Sequence, residues 1–453
     1  MRNRHFHTNA IVLIGLLFAV FGCDSTDTRP AESPLPAAPV SHLIWITFDA
    51  LRADHLELYG YPLNTAPQLT QWAKPGVLFD RCIAQGVNTV ESTKIMVFGQ
   101  YAHTINLKPD DPGYRLNRSL LHILSENGYK TALWSNHGAF PLPGQFALFT
   151  DNGKATEMQT AKEALQWQAE HAQEKTFLWI HLFAPHQPQP RQGARFEEFL
   201  AARKNRDVFP ESFWHIPENL EQTPRPENFH ALWAAYDAAI GKSDGALGVF
   251  LAGLERNRLL DDSLIAVTAD HGEHMDQGGM LNHERWTFRP LVHVPLVLIP
   301  PQSLYGRLPE GGRVHQRVRH IDLAPTFLEA AGISTKKDLD LDGVSLFSLD
   351  AADELPAFSD GSGSGLPTSR SLEKGHFVLW KTEGVGKPVY QLFDLAESAT
   401  ERQDVRFKHP IAYWRMKREI DAFAPPPANR SSWNTEKMTE QQLNRLKELG
   451  YVQ

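Results

Sequence analysis

The chain has 453 residues, 42% hydrophobic and 22% charged, which is enough to bury a core and to fold as one main α/β domain with a smaller companion. Its 45 Lys and Arg against 53 Asp and Glu give a formal net charge of -8, and no long basic run is present, so nucleic acid is excluded as an expected partner. The only cysteines are Cys23 and Cys82, so no disulfide can form within the chain if Cys23 is committed elsewhere.

Arg2 and Arg4 precede the apolar run AIVLIGLLFAVFG, which meets Cys23. A basic start, a short apolar middle and a small residue before the break are the layout of a secretory signal, here residues 1–22. The run is about a dozen residues, short for a membrane span of about 20. Its ending, VFGC, resembles a bacterial lipoprotein signal, which implies export, a lipidated Cys23 and membrane attachment through that lipid. The other reading is an uncleaved anchor. Residues 23–41, rich in Pro, Ser and Ala, are expected to be a flexible tether.

From residue 42 strand-like and helix-like pieces alternate. HLIWITFD is a continuous apolar run and reads as a buried strand. NTAPQLTQWAKPG reads as a helix stopped by Pro75-Gly76, and SLLHILSENGY as one ending at Gly128. KTALWSN, KTFLWIHLFAP, SLIAVTAD and VHVPLVLIP read as further strands. NFHALWAAYDAAIGKSDGALGVFLAGLERNRLL is one long helix or a pair, and IDLAPTFLEAAG a helix closed by Gly332. Asp350–Ser369 is loop-rich. HFVLWK and VYQLFDL beyond it look like strands of a small second domain, and the tail TEKMTEQQLNRLKELGYVQ like an amphipathic helix. Strands separated by helices predict a mostly parallel sheet covered on both faces.

In such sheets ligands sit beyond the carboxyl ends of the strands. Asp49 ends the first strand, His181 and His186 end the FLWIHLF strand, and Asp270-His271 end the LIAVTAD strand. Asp49, Asp270 and His271 offer two carboxylates and an imidazole, a set for one divalent ion. The imidazole favours Zn²⁺ or Mn²⁺, with Ca²⁺ or Mg²⁺ also compatible. Thr89 stands in VNTVESTKIMVFG, just before a helix. Alone it reads as the helix N-cap, and His181 as a satisfied core histidine. Beside a metal ion, the Thr89 hydroxyl becomes acidic enough to attack phosphorus or sulfur.

The combination resembles the sulfatase branch of the alkaline-phosphatase superfamily over residues 42–405. It rests on TFDALRADHLELYGYP, GQYAHT, FLWIHLFAPHQPQP, YDAAIGKSD, VTADHGE, HVPLVLIPP, HIDLAPTFLEAAGI, LDGVSLF and YQLFDL, in that order. The resemblance implies an α/β/α sandwich around a large, mostly parallel mixed sheet at 42–348. It also implies a small C-terminal α+β subdomain, with the terminal helix, at 369–453. It makes Asp49, Asp270 and His271 metal ligands and places Thr89 at the nucleophile position. His186 in APHQP and His283 in MLNHERW match histidines near the ester or leaving group, and Lys374 or Lys381 match loosely a basic residue lent to the anion.

Sulfatases of this branch carry Cys or Ser, converted to formylglycine, followed by Pro, Ser and Arg. Here Thr89-Val90-Glu91-Ser92-Thr93 stands instead, and threonine cannot become formylglycine. Ala50 replaces a second Asp, and a Lys-x-His element is reduced to Asn136 and His137. The expectation is a metal-dependent hydrolase of a small-molecule, glycan or lipid ester, phosphate or sulfate, with Thr89 as nucleophile. A phosphoethanolamine-type transferase and a non-catalytic binding protein are the alternatives. The loops of Gln189–Pro226 are expected to line the pocket, with Trp214, Trp233 and Trp286 as candidates for stacking on a sugar.

Overall fold

The structure is a computed structural model. It describes residues 35–36, 38–105, 118–142, 144–186, 193–203, 229–275, 281–283, 286–309, 312–335, 339–349, 354–361, 368–384, 386–397, 401 and 403–423. The signal, most of the tether, the tail helix and Trp214 lie outside the described residues.

The strands in chain order are β1 His42–Phe48, β2 Val77–Ile83, β3 Lys130–Ser135, β4 Leu148–Asp151, β5 Thr176–Leu182, β6 Ser263–Ala269, β7 His274–Met275, β8 Leu281–Asn282, β9 His293–Ile299, β10 Arg313–Arg319, β11 Ala357–Asp360, β12 Thr368–Lys374, β13 Phe377–Glu383 and β14 Val389–Asp394. The helices are α1 Pro67–Trp72, α2 Thr89–Phe98, α3 Ala102–Ile105, α4 Leu120–Glu126, α5 Glu157–Glu170, α6 Ala194–Arg203, α7 Phe229–Arg256, α8 Arg289–Val292, α9 Leu323–Ala330 and α10 Pro410–Ala422.

Eight strands form one sheet in the order β10-β2-β9-β6-β1-β5-β3-β4. All neighbours are parallel except β9, which runs against β2 and β6. β1, β5 and β6 are buried along their whole length, as their unbroken apolar sequences require of strands covered on both faces. At the centre Trp45 meets Phe177, Trp179 and Phe327 edge-on at 5.3, 5.1 and 5.4 Å between centroids. The long apolar stretch before β6 is one helix, α7, of 28 residues rather than a pair. Part of the expected loop Gln189–Pro226 is also a helix, α6, while residues 187–192 and 204–228 lie outside the described residues.

The register sets the site. Thr47 pairs with His181 of β5 and with Thr268 of β6, so the three central strands end level. Asp49 and Asp270 therefore leave the sheet side by side. Ala50 follows with φ 57, a left-handed conformation unfavourable for a residue with a Cβ. It is held there because its N–H donates to Asp270 Oδ1 at 3.1 Å and its carbonyl accepts from the Tyr236 hydroxyl at 2.6 Å.

The second sheet, β11-β12-β13-β14, is antiparallel, with α10 on one face, its Met416 and Ile420 packed with Leu372, Leu379 and Leu392 of the sheet. Two of its strands begin within the stretch that composition marks as loop, because β11 pairs with β12 across it. The small sheet is fastened to the large one by ion pairs. Glu373 of β12 accepts from Arg81 at 2.9 Å, Arg317 at 3.2 Å and Arg289 at 3.1 Å.

Candidate active site

Thr89 is not the N-cap. Asn88 is: its backbone is extended and its side chain accepts from Glu91 N at 3.0 Å. Thr89 is thus the first helical residue of α2, and the helix ends on Gly99 at φ 60, where a left-handed cap favours glycine. This puts the Thr89 hydroxyl, almost fully buried, at the positive end of a ten-residue helix.

Thr89 Oγ1 lies 3.4 Å from His271 Nε2. The other ring nitrogen, Nδ1, donates to Gly272 O at 2.8 Å, which leaves the Nε2 lone pair facing the site. His271 Nε2 is 3.7 Å from Asp49 Oδ1 and 3.5 Å from Asp270 Oδ2. A Cβ on Gly272 would fall 1.9 Å from Pro290 O, so only glycine allows the chain to turn here. All four expected metal-site residues therefore meet in one buried cluster, and His186 and His283 border it. Their Nε2 atoms are 2.9 Å apart, and the His283 ring packs on His271 with centroids 4.5 Å apart.

Electrostatics explain the composition. Burial, with Asp270 alongside, holds the Asp49 carboxyl well above the usual range, although Thr89 hydrogen-bonds to it. Burial brings His271 and His283 down to about 3, and it lowers His181 and His186 as well. Two buried acids among imidazoles kept neutral by burial have oxygen and nitrogen lone pairs to offer. Asp270 Oδ2 is buried without a hydrogen-bond partner. An orphaned carboxylate oxygen in a mixed O and N donor set fits a divalent cation.

Two histidines were underread in the sequence. His181 Nε2 donates to Asp49 Oδ2 at 3.1 Å, and Asp49, His181 and Asp270 offer ligand atoms within 4.8 Å of one another. Trp179 Nε1 donates to Thr47 Oγ1 at 2.8 Å, and the Thr47 hydroxyl meets His181 Nδ1 at 2.8 Å. His137 Nε2 is 4.0 Å from Asp49 Oδ2. The only signal for either is a histidine close to a strand end.

The two lysines matched loosely to an anion contact are engaged elsewhere. Lys374 pairs with Glu419 at 2.7 Å, and Lys381 with Glu383 at 3.0 Å and Asp421 at 3.1 Å, so the small subdomain uses both for its own cohesion. Trp233 packs on His55 and Tyr236, and Trp286 stacks on Phe288.

A large mixed sheet with catalytic-type groups at its strand ends, and a small antiparallel sheet beside it, defines the alkaline-phosphatase-like hydrolases acting on ester bonds. Within that class the chain belongs to the sulfatase family, whose model matches residues 41–333. It is 22% identical to arylsulfatase K of Xenopus laevis over 465 residues, covering 88% of this chain and 85% of that protein. It is 23% identical to iduronate 2-sulfatase of Mus musculus over 494 residues, covering 92% and 83%. Among solved structures, a phosphonate monoester hydrolase from Silicibacter pomeroyi superposes with TM-score 0.64 at 18% identity, covering 84% of this chain and 95% of that one. The corresponding enzyme of Agrobacterium radiobacter gives 0.62 at 19%, covering 84% and 95%.

Proposed function

We propose that this protein cleaves a phosphate or sulfate ester with Thr89 as the nucleophile and a divalent ion held by Asp49, Asp270 and His271. The observation that carries the reading is Thr89 Oγ1 at 3.4 Å from His271 Nε2, at the start of α2. When bound, the ion supplies positive charge that acidifies a neighbouring hydroxyl and offsets charge developing on the ester. Thr89 attacks the central atom of the ester, and its hydrogen bond to Asp49 gives the departing proton an acceptor. The bond to the leaving alcohol breaks, and its oxygen takes up the proton that Asp49 accepted, with His186 and His283 beside the site. The end of α2 favours the anionic group bound there. Water then releases the group from Thr89.

Phosphorus is the favoured centre. A phosphothreonine can be hydrolysed, whereas a sulfated threonine lacks the aldehyde hydrate that lets a formylglycine shed sulfate. The layout of residues 1–23 supports export and attachment through a lipid on Cys23.

The test is a panel of aryl phosphate mono- and diesters, an aryl phosphonate and an aryl sulfate. The expected outcome is phosphorus-ester turnover that Thr89→Ala lowers by roughly a thousandfold or more. Turnover unchanged in Thr89→Ala overturns the reading.

A further inference from the structure

The outer face of α10 and the turn before it carry the three most solvent-exposed large apolar side chains among the described residues: Ile411 at 86% and Trp414 at 64% on the helix, and Phe407 at 85% just before it. The inner face of the same helix is already used, since Met416 and Ile420 are buried against the small sheet. The helix is thus apolar on two sides, and only one side has a partner.

The surroundings of the outer face are basic. From Val405 to Arg418 the chain carries Arg406, Lys408, Arg415, Lys417 and Arg418 and no Asp or Glu, and the first four pair with acids just outside that stretch, Asp404, Glu397, Glu419 and Asp421. At 100° per residue, Ile411, Trp414, Arg415 and Arg418 fall on one side of the helix, and all four are exposed. Arg418 has no ion-pair partner among the described residues, and Arg415, whose side chain is 66% exposed, lies 3.5 Å from Glu419. Trp, Phe and Ile set among Lys and Arg on one exposed helix face are the chemistry of a helix lying in a membrane interface.

We infer that this face docks on an anionic phospholipid surface, with Phe407, Ile411 and Trp414 seated at the headgroup level and Arg415 and Arg418 against phosphate. Charge decides against the other occupants. Residues 424–453 carry Arg430, Lys437, Arg445 and Lys447 against Glu436, Glu440 and Glu448, so that segment does not complement a basic patch. A second copy using the same face would set arginine against arginine. The contact does not depend on any lipid carried by Cys23.

The test measures partition of the full-length Cys23→Ala protein, which cannot be acylated there, onto phosphatidylcholine vesicles with and without about one third phosphatidylglycerol. The expected result is roughly tenfold or greater preference for the anionic vesicles, abolished by raised salt. Arg415→Glu with Arg418→Glu removes the preference. Phe407→Ser with Ile411→Ser and Trp414→Ser weakens binding to the anionic vesicles, while unchanged thermal unfolding of both variants shows that the fold is kept. Equal partition on the two compositions overturns the inference, as does a preference that survives the arginine reversals. A serine variant that changes the oligomeric state, or exposes residues 424–453 to protease, with vesicle partition unaltered, overturns it in favour of a second copy or the chain's own tail.

Discussion

His181 Nε2 donates to Asp49 Oδ2 at 3.1 Å, while its Nδ1 meets Thr47 Oγ1 at 2.8 Å. One imidazole thus ties the carboxylate at the end of β1 to the strand beside it. This bond fixes which Asp49 oxygen turns toward Asp270 and His271. His181→Ala is expected to weaken divalent-ion binding by roughly 10–100-fold, as loss of a partner to a ligating carboxylate does. Titration calorimetry with Ca²⁺ and with Mn²⁺ reads this directly, and unaltered affinity removes His181 from the site.

Without a cation, burial and the neighbouring Asp270 hold the Asp49 carboxyl well above the usual range, and the fold carries the cost of two adjacent buried acids. Chelation should lower the melting temperature. Restoring the right ion at about a hundred times its Kd should return about 2.7 kcal/mol. Asp270→Asn should melt the same with or without the ion. A wild-type melting temperature indifferent to chelator and to Ca²⁺, Mg²⁺, Mn²⁺ and Zn²⁺ contradicts the proposed centre.

Glu373 joins the two sheets, and its pH behaviour follows from its neighbours. Burial alone would raise its pKa, but Arg289, Arg317 and Arg81 overcome this and bring it down to about 2. Its folded value is below the unfolded one, so its stabilisation is present above about 4.5 and is lost as pH falls from there toward about 2. The amount at stake is roughly 3 kcal/mol. Glu373→Gln should be destabilised by about 3–5 kcal/mol near neutral pH, since fully buried Arg317 loses part of its counter-charge. It should also lose much of the wild-type slope below about 4.5. Denaturant unfolding at a series of pH values measures both.

Asn88 caps the helix that presents Thr89. Asn88→Ala should cost about 1 kcal/mol of stability. It should lower kcat more than it raises KM, because the first turn of α2 is loosened where the hydroxyl is held. Asn88→Asp keeps the capping acceptor and should restore most of both. Equal kcat in the alanine variant separates helix capping from nucleophile positioning.

Much of the fold was legible because its central strands are covered on both faces. HLIWITF, TFLWIHL and SLIAVTA have no polar side to present, so continuous apolar text marks them as inner strands of a parallel sheet. The residues that follow β1 and β6, Asp49 and Asp270-His271, stood out as polar breaks where such sheets bind ligands. His181 stood at a strand end too, but taken alone a histidine inside an apolar strand reads as core until its register beside Thr47 is known. Asn88 and Thr89 are both good caps by type, and only the extended backbone at Asn88 decides between them. The surface of α10 was hidden for a similar reason. An amphipathic pattern does not say which apolar stripe the sheet will take.

The order of residues along the chain determined the element types and the chemical inventory of this protein: apolar strands, carboxylates and imidazoles at their ends, and a threonine where a helix starts. Those are local properties, set by side-chain type and by the periods of strand and helix. Which groups meet was decided only by tertiary structure. Asp49, Thr89, His181 and the Asp270-His271 pair lie far apart in sequence, and strand register and sheet order bring them together. Burial then shifts their proton affinities, because a carboxylate or an imidazole responds to the dielectric and charges around it rather than to its neighbours in the chain.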